Sequence, residues 1–339
     1  MIAAIDFGCY AIRSAVRTDR ITLRSERSEY VILPGKHDYH QTLTERKVPF
    51  ARCEGSLVAY GNGVDRIDWL SRMPATPLFP GGRLPSADAP ARQIIYLMTE
   101  SLLPAPTQSG MPCCFTTPDG SESSATAEFL QQLIRMRGYD PIYCPSSHAT
   151  NLACGADSAF TGISINMGIE RSEICVSRLG MVLAKESIDA GAGWIDMELA
   201  RQTGFHTWDD EGVCYLDIAS VREWKQSDNL NLREPGDERA RALSRLYGVV
   251  LDRLAATVRQ MLMQEPAAAM TGETRQPVIC SGGPVQIPGF AGLLTERFVE
   301  QGTASRIASV RIANGPVECV TRGLLIHGEL ERSAVTKVA

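Results

Sequence analysis

The chain has 339 residues, of which 44% are hydrophobic and 22% charged, and its formal net charge is −5. This length and composition suit a globular protein that can form two domains with a core each. A negative net charge gives no general attraction to nucleic acid or anionic lipid, so we expect no nucleic-acid partner. The ten cysteines form neither a CxxC pair nor a Cys/His spacing suited to zinc, which favours buried, reduced thiols.

The N-terminal sequence MIAAIDFG lacks the basic start and the apolar stretch of a signal peptide. No segment approaches the ~20 consecutive apolar residues that are needed to cross a bilayer. We therefore expect a cytoplasmic protein.

The first 103 residues show short strand patterns followed by a helix pattern. Apolar and polar residues over 2–17 predict a β-hairpin with its turn at Gly8. Another strand is predicted over 56–61, and the Pro/Gly-rich stretch 73–90 is interpreted as a long connection. Apolar residues at helical spacing predict a helix over 91–103.

From residue 112 onwards, strand and helix patterns alternate. A buried strand is predicted over 112–118 and a helix over 124–138. A second strand over 141–147 and a helix of small residues over 148–157 follow. This alternation is typical of βαβ units with a mostly parallel sheet.

The second half of the chain repeats the scheme of the first. Three strands in a meander are predicted over 162–191, and the longest amphipathic helix is predicted over 240–264. Residues 276–301 suggest an apolar strand, a Gly–Gly turn and a helix. Because each half begins with a glycine-turn hairpin, the sequence indicates an internal duplication, with Asp6 and Asn166 160 residues apart.

Several motifs in a fixed order resemble those of one superfamily. They are the hairpins AIDFGCYAIR and INMGIERSEICV, the turn SIDAGAGWID, the helix SVREWKQS, the segment VICSGGPVQIPGFAGLL and the closing helix GPVECVTRGLLIHGELE. Together they resemble the actin-like ATPase superfamily, which includes actin, heat-shock chaperone ATPase domains, sugar kinases, MreB, FtsA and PilM. The order and spacing are most similar to MreB-like bacterial actin homologues, nearly from end to end.

The resemblance implies an α/β fold of duplicated ribonuclease-H-like domains, with two lobes flanking a nucleotide cleft. Lobe I is expected to comprise 1–145 and 314–339, with a small subdomain at about 30–73. Lobe II is expected to comprise 146–313, with a small subdomain at about 195–240.

The resemblance also implies ATP with Mg²⁺ as the ligand, held where backbone N–H groups of the two hairpins surround the phosphates. It assigns nucleotide contacts to Asp6, Gly8, Cys9, Tyr10, Asn166, Gly168, Gly191, Gly193, Glu223, Lys225, Ser281, Gly282 and Gly283. Asp6 would orient a hydrated Mg²⁺ through its carboxylate. Cys9 stands where the family has a small hydroxyl residue, and the bulky Tyr10 follows it.

The second hairpin departs from the family pattern D-x-G-G-G-T. Asn166 stands at the position of the acid, and Ile169, Glu170 and Arg171 replace the last two glycines and the threonine. The branched Cβ of Ile169 resists a positive φ. Glu170 would bring a like charge towards the phosphates, at a cost on the order of 3 kcal/mol at about 5 Å and an effective dielectric of about 20. We expect a solvated turn with a Glu–Arg pair, rather than Arg171 turned inward to bind phosphate.

Hydrolysis is expected to be weak or absent. Ser146 stands at the position where the family has a glutamate that places the attacking water, and serine is a poor general base. His148 is a weak substitute candidate, because a single histidine near a helix start is more often a capping or packing residue. No residue is assigned as catalytic.

Two functions of different classes remain open. The first is an MreB-like cytoskeletal or cell-shape scaffold that binds itself head to tail in filaments, at the inner face of the membrane through a membrane-associated scaffold protein. The second is an adaptor similar to PilM and FtsA that binds a membrane-protein peptide, with nucleotide minor or structural. A small-molecule kinase is disfavoured, because it requires an intact phosphate cradle and a catalytic aspartate. The loop LLPAPTQSGMP gives little support for direct membrane binding.

Repair of the second hairpin tests its interpretation as a degenerate phosphate loop. Ile169→Gly, Glu170→Gly and Arg171→Thr together should raise the affinity for Mg-ATP, because they remove bulk and like charge. Isothermal titration with Mg-ATP measures the change, and Ser146→Glu in the unmodified hairpin is the control that should change affinity little. Equally tight binding by the unmodified protein would refute the interpretation.

Overall fold

The computed structural model describes residues 1–33, 39–66, 75–208, 212–227 and 230–338. The predicted connection 73–90 and the predicted small subdomains, at about 30–73 and about 195–240, each include residues outside these ranges. The chain divides into two compact units. Unit 1 comprises Met1–Cys144 and Leu324–Ala339, and unit 2 comprises Pro145–Gly323.

Within the described residues, unit 1 contains nine strands, three complete helices and the larger part of the C-terminal helix. The strands are β1 (Ile2–Phe7), β2 (Ala11–Arg17), β3 (Ile21–Arg27), β4 (Glu29–Ile32), β5 (Phe50–Cys53), β6 (Ser56–Tyr60), β7 (Thr76–Pro77), β8 (Met111–Thr116) and β9 (Tyr139–Tyr143). The helices are α1 (His40–Glu45), α2 (Ala89–Leu102) and α3 (Ala125–Met136). Side chains cap two of them, since Asp88 accepts from the Ala91 N–H and Ser124 from the Ala127 N–H.

Unit 2 contains the remaining elements. Its strands are β10 (Gly162–Met167), β11 (Ser172–Arg178), β12 (Met181–Ile188), β13 (His206–Trp208), β14 (Cys214–Leu216), β15 (Gln276–Ser281) and β16 (Ile307–Ile312). Its helices are α4 (Ser146–Cys154), α5 (Ala192–Thr203), α6 (Ile218–Trp224), α7 (Glu238–Leu262), α8 (Ala267–Glu273), α9 (Phe290–Glu300) and the start of α10 (Cys319–Val338), which continues into unit 1.

The main sheets of the two units have the same topology. The strand order is β3-β2-β1-β8-β9 in unit 1 and β12-β11-β10-β15-β16 in unit 2. In each, an antiparallel three-stranded meander is followed by two parallel strands. Phe7 pairs with Ile12 in the first hairpin and Met167 with Ser172 in the second, so the registers correspond residue for residue. The predicted duplication of an α/β domain is confirmed.

A smaller sheet in unit 1 has its own core. Its strand order is β5-β6-β4-β7. Its buried apolar residues are Val31, Leu33, Leu43, Val48, Ala59 and Val64. The amphipathic pattern of β4 to β6 therefore builds a local cluster separate from the one that packs on β1 and β8.

The longest helix, α7, supplies much of the core of unit 2. Asp237 caps it by accepting from the Ala240 N–H. The predicted apolar stripe is buried: Leu243, Leu246, Val250, Leu254 and Val258. Next to this stripe, Tyr247 meets Phe290 of α9 edge to face, with ring centroids 6.2 Å apart. The sheet is thus held against α7 and α9.

Helix α10 approaches α4 closely through Gly323. A Cβ at Gly323 would lie 1.8 Å from the carbonyl oxygen of Ala149, so only glycine permits this contact. A Cβ at Gly248, in the middle of α7, would meet nothing within 4 Å. The two helical glycines therefore have different physical roles.

This difference predicts opposite effects of the same substitution. Gly323→Ala should lower the free energy of unfolding of unit 2 by about 3 kcal/mol or more, because backbone atoms must move apart. Gly248→Ala should raise it by about 0.5–1 kcal/mol, because alanine restricts the unfolded chain and favours helix. Denaturant midpoints of the two variants measure the effects, and equal midpoints would contradict the packing described above.

Candidate functional site

The first hairpin places a carboxyl group at the end of β1. The side chain of Asp6 is 13% exposed, and Arg13, its partner in the register, lies with Nη1 3.8 Å from Asp6 Oδ2. Burial raises the pKa of Asp6 to about 6, and the Arg13 charge offsets part of that rise. A carboxyl group with so raised a pKa is typical of functional sites, although ion pairs in the core also perturb pKa values.

The turn of the first hairpin is held by its own unit. The Ser28 hydroxyl donates to the Gly8 carbonyl oxygen at 2.5 Å, and the Ser28 N–H donates to the Tyr10 carbonyl oxygen at 2.9 Å. Cys9 Sγ lies 4.0 Å from the Pro118 carbonyl oxygen. Tyr10 is exposed, and the Arg27 guanidinium lies 5.6 Å from its ring centroid. The turn therefore presents an aromatic side chain rather than a small hydroxyl.

The second hairpin is bonded to the N-terminus of α5. The N–H groups of Ala192 and Gly193 donate to the carbonyl oxygens of Gly168 and Ile169, at 2.9 and 2.8 Å. First-turn N–H groups have no partner inside their own helix and are the usual donors to a bound anion. Here two of them are already bonded to the hairpin.

The side chains at the tip of this hairpin also have local partners. Arg171 forms an ion pair with Asp189, which precedes α5. Glu170 is half-buried, and burial raises its pKa while the charges of Arg222 and Arg171 lower it. Glu170 is thus less solvated than expected, and the charge of Arg222 on α6 reaches it as well as that of Arg171.

Three glycines let the backbones in unit 2 come this close. A Cβ at Gly191 would lie 2.2 Å from the Ile169 carbonyl oxygen, and one at Gly193 would lie 3.0 Å from Ile169 Cγ2. Gly282 has φ +100°, and a Cβ there would lie 2.0 Å from the Met167 carbonyl oxygen. Gly191 and Gly282 are required for packing against the second hairpin, whether or not a ligand binds, and a side chain at Gly193 would be tight there.

A buried polar network lies beneath the second hairpin, and we call it the serine network. Its members are Ser146, Thr150, Asn166, Glu173 and Ser281. Asn166 Nδ2 donates to Ser146 Oγ at 3.0 Å, and Ser281 Oγ donates to Asn166 Oδ1 at 3.1 Å. Ser281 Oγ also lies 2.5 Å from Thr150 Oγ1. The network links α4, β10, β11 and β15 at one end of the sheet.

Glu173 provides the negative charge of this network. Its carboxylate accepts from the Ser146 N–H at 3.0 Å and lies 3.2 and 3.3 Å from Ser146 Oγ. The residue before α4 is Pro145, whose side chain can neither donate nor accept a hydrogen bond. Glu173 of β11 therefore provides the acceptor at the N-terminus of α4. Burial raises the pKa of Glu173, while Lys185 and the hydrogen bonds from Ser146 and Ser147 lower it.

Helix α6 contributes a second buried charge cluster. Asp196 of α5 is fully buried and pairs with Lys225 and with Arg222, whose Nε lies 3.1 Å from Asp196 Oδ2. Lys225 therefore holds α6 to α5 in this structure. Glu223 lies on the same helix and is exposed.

The sequence pattern of the Volactin family matches residues 1–328. The chain belongs to the Volactin family. No curated protein matches it. Two solved actin-like proteins match this Volactin chain over nearly their whole length. The MamK double helical filament is 13% identical, with a TM-score of 0.70 over 97% of this chain and 98% of MamK.

The second protein is MreB 5 of Spiroplasma citri. Its structure bound to AMPPNP is 13% identical, with a TM-score of 0.72 over 100% of this chain and 98% of that chain. Its structure bound to ADP is 12% identical, with a TM-score of 0.70 over 99% and 98%. These likenesses confirm the expected actin-like fold and its resemblance to MreB-like proteins. In the described part of the chain, no helix is long and apolar enough to cross a membrane.

The structure brings most of the expected unit 2 site residues together. Those linked around the second hairpin are Ser146, Asn166, Gly168, Gly191, Gly193, Ser281 and Gly282. Gly283 follows directly, and a Cβ there would meet nothing within 4 Å. His148 is buried, with Nδ1 3.5 Å from Ser177 Oγ, so it packs within unit 2.

Two charged residues of this Volactin chain were missed by sequence reasoning. Asp196 is one of two acids in the α5 sequence AGWIDMELARQT, and nothing in that sequence marks it as buried. Glu173 could have been found, because it lies opposite Asn166 in the hairpin register, as Arg13 lies opposite Asp6. The duplication thus places one charged residue next to each hairpin acid position.

The expected ligand fits these residues only in part. Asp6 suits a hydrated Mg²⁺, which usually retains several waters and uses one or two carboxylates. Among the described residues, no group of three or more His, Cys, Asp or Glu could hold a metal ion directly. The hairpin carbonyl oxygens of Gly168 and Ile169 already satisfy two N–H groups of α5. The phosphate cradle expected in unit 2 is therefore incomplete.

The raised pKa of Asp6 predicts a pH-dependent stability. In the folded state Asp6 holds its proton up to about pH 6, whereas the ordinary pKa of an aspartate is 3.8. Its contribution is therefore fully present below about pH 4 and is lost as pH rises through about 6. Asp6→Asn should raise the free energy of unfolding by up to about 3 kcal/mol at pH 7.5, and by little at pH 4.

Denaturant unfolding at the two pH values measures this effect. The exposed Asp19, changed to Asn, is the matched control and should shift stability little at either pH. A variant Asp6→Asn that is less stable than the parent at pH 7.5 would show that the carboxylate is well paired.

Proposed function

We propose that this chain is an actin-like protein that assembles head to tail with copies of itself into filaments, and that it binds nucleotide weakly. The observation that carries the proposal is the match to the MamK double helical filament over 97% of this chain and 98% of MamK. The similarity thus extends over nearly the full length of a filament protein. A heterologous contact that does not close into a ring produces an open filament.

The proposed ligand is Mg-ATP or a related nucleotide. MreB 5 of Spiroplasma citri, which has the same fold, is bound to AMPPNP in one structure and to ADP in another. In this chain Asp6 would orient the hydrated Mg²⁺, whose charge offsets that of the phosphates. Ser281, Gly282 and Gly283 would receive the nucleoside, because Gly283 leaves open space beside the turn.

Weak binding follows from the second hairpin. Ala192 and Gly193 would have to release the Gly168 and Ile169 carbonyl oxygens before their N–H groups could bind a phosphate. The half-buried Glu170 adds a negative charge at the same turn. Nucleotide should therefore be held mainly by the first hairpin and the Ser281–Gly283 turn.

Hydrolysis, where it occurs, should be slow. Ser146 Oγ accepts from Asn166 Nδ2 and is within hydrogen-bond distance of the Glu173 carboxylate. The hydroxyl can thus hold a water and pass its proton to Glu173, whose burial makes it a stronger base. The Ser146 hydroxyl stands between the water and the Glu173 carboxylate, whereas a glutamate at position 146 would contact the water directly. This extra step is the physical reason for a low rate.

The proposed role is that of a cytoplasmic scaffold, in cell shape or in another cytoskeletal task, that reaches the membrane through partner proteins. The exposed Trp208 on the β13–β14 hairpin is a type of side chain enriched in protein contacts. An adaptor similar to PilM and FtsA is the second candidate. The N–H groups of Ala192 and Gly193 are already bonded to the hairpin, which favours the adaptor, because an adaptor needs no nucleotide turnover.

Sedimentation separates the two candidates. With Mg-ATP the protein should appear in the high-speed pellet above a threshold concentration, and it should remain in the supernatant without nucleotide. Asp6→Asn should weaken this nucleotide dependence, whereas Asp19→Asn should not. A protein that stays monomeric under every condition and binds a membrane-protein tail would be the adaptor, and the filament proposal would then be wrong.

A further inference from the structure

Two cysteine side chains of unit 2 meet at the junction of two helices. Cys154 is the last residue of α4 and Cys319 is the first residue of α10. Their sulfur atoms lie 3.5 Å apart, although the residues are 165 positions apart in the chain. Cys319 is fully buried, while Cys154 is half-buried and so remains accessible to a small reagent.

The surroundings of the pair favour a thiolate on Cys154. The Arg311 guanidinium donates to the Cys154 carbonyl oxygen at 2.6 Å, and the Arg322 guanidinium donates to the Asn314 carbonyl oxygen nearby. The hydrogen bond with the Cys319 thiol lowers the pKa of Cys154, and the charges of Arg322 and Arg311 lower it further. The same hydrogen bond and burial raise the pKa of Cys319. One sulfur is thus prepared as a nucleophile and the other as a thiol that resolves it.

We propose that Cys154 and Cys319 form a redox-active dithiol, which hydrogen peroxide or a small-molecule disulfide oxidises to an intramolecular disulfide. Neither cysteine is among the residues assigned to nucleotide contacts, and the inference does not rest on the proposed filament. Its substrate class is a small two-electron oxidant, and a dithiol reductant restores the pair.

The reaction with peroxide balances in two steps. The Cys154 thiolate attacks one peroxide oxygen, the O–O bond breaks, and the products are Cys154 sulfenic acid and hydroxide. Cys319 sulfur then attacks the Cys154 sulfur, the S–O bond breaks, and the Cys319 proton leaves with that oxygen as water. The proton that Cys154 released on ionisation converts the hydroxide to a second water, so in total two thiols lose two electrons and two protons and the peroxide becomes two waters.

The other cysteines give a basis for selectivity. Burial raises the pKa of the Cys114, Cys175 and Cys280 thiols to about 12, which makes them poor nucleophiles. Cys214 is exposed, on β14. If exposure alone decided reactivity, the oxidant would react first with Cys214. We expect it to react first with Cys154.

The oxidised bond would join positions near both ends of the segment that builds unit 2. Residues 154 and 319 lie just inside the limits of Pro145–Gly323. A cross-link that closes so long a loop restricts the unfolded chain strongly. The oxidised protein should therefore unfold at a temperature roughly 10 °C higher than the reduced protein.

Mass spectrometry of the intact, folded protein tests the site. After treatment with hydrogen peroxide and digestion without reductant, a peptide pair that joins Cys154 to Cys319 should be the main disulfide, and dithiothreitol should remove it. At pH 6.5 iodoacetamide should modify Cys154 at least about tenfold faster than the internal control Cys214. Faster modification of Cys214, or no joined peptide pair, overturns the proposal.

Variants complete the test with a thermal readout. Cys154→Ser and Cys319→Ser should each abolish the rise in unfolding temperature on oxidation, while the matched control Cys175→Ser should retain it. If Cys319→Ser does not fold, Cys319→Ala replaces it. A peroxide-induced rise that persists in both variants would show that other thiols carry it, and the assignment would be wrong.

Discussion

Two hydrogen bonds between the second hairpin and α5 determine the character of the candidate site. The carbonyl oxygens of Gly168 and Ile169 occupy N–H groups at the start of the helix, where an anion would otherwise bind. Gly191 makes the contact possible, since a Cβ there would lie 2.2 Å from the Ile169 carbonyl oxygen. The same loop motif that surrounds phosphate in an intact cradle therefore serves here as a packing contact within unit 2.

The two hairpins share a fold and a register, but their acids lie on different strands. In the first, the acid is Asp6 on β1 and its partner across the hairpin is the cation Arg13. In the second, Asn166 is neutral and the acid is its partner Glu173. Asn166 can donate to Ser146, which a carboxylate could not do, so the network around α4 depends on this exchange. Duplication preserved the geometry while the chemistry of the two copies diverged.

The dithiol of Cys154 and Cys319 uses none of the residues assigned to nucleotide contacts. Its components come from the end of one helix and the start of another, with two arginines from separate elements. Burial makes most other thiols of the chain inert, because an ionised sulfur is poorly solvated in the core. Position in the fold, rather than cysteine content, thus separates reactive from structural thiols.

The sequence by itself determined the elements and their duplication, because apolar periodicity and glycine turns act over short distances. The hairpin 2–17, the stripe on α7 and the Gly282–Gly283 turn follow from local pattern, and the superfamily resemblance follows from their order. Only the tertiary structure decided that Glu173 caps α4, that Asp196 neutralises Lys225, and that Cys154 meets Cys319. These contacts join residues 27, 29 and 165 positions apart, so the path of the folded chain, rather than any local pattern, brings each pair together.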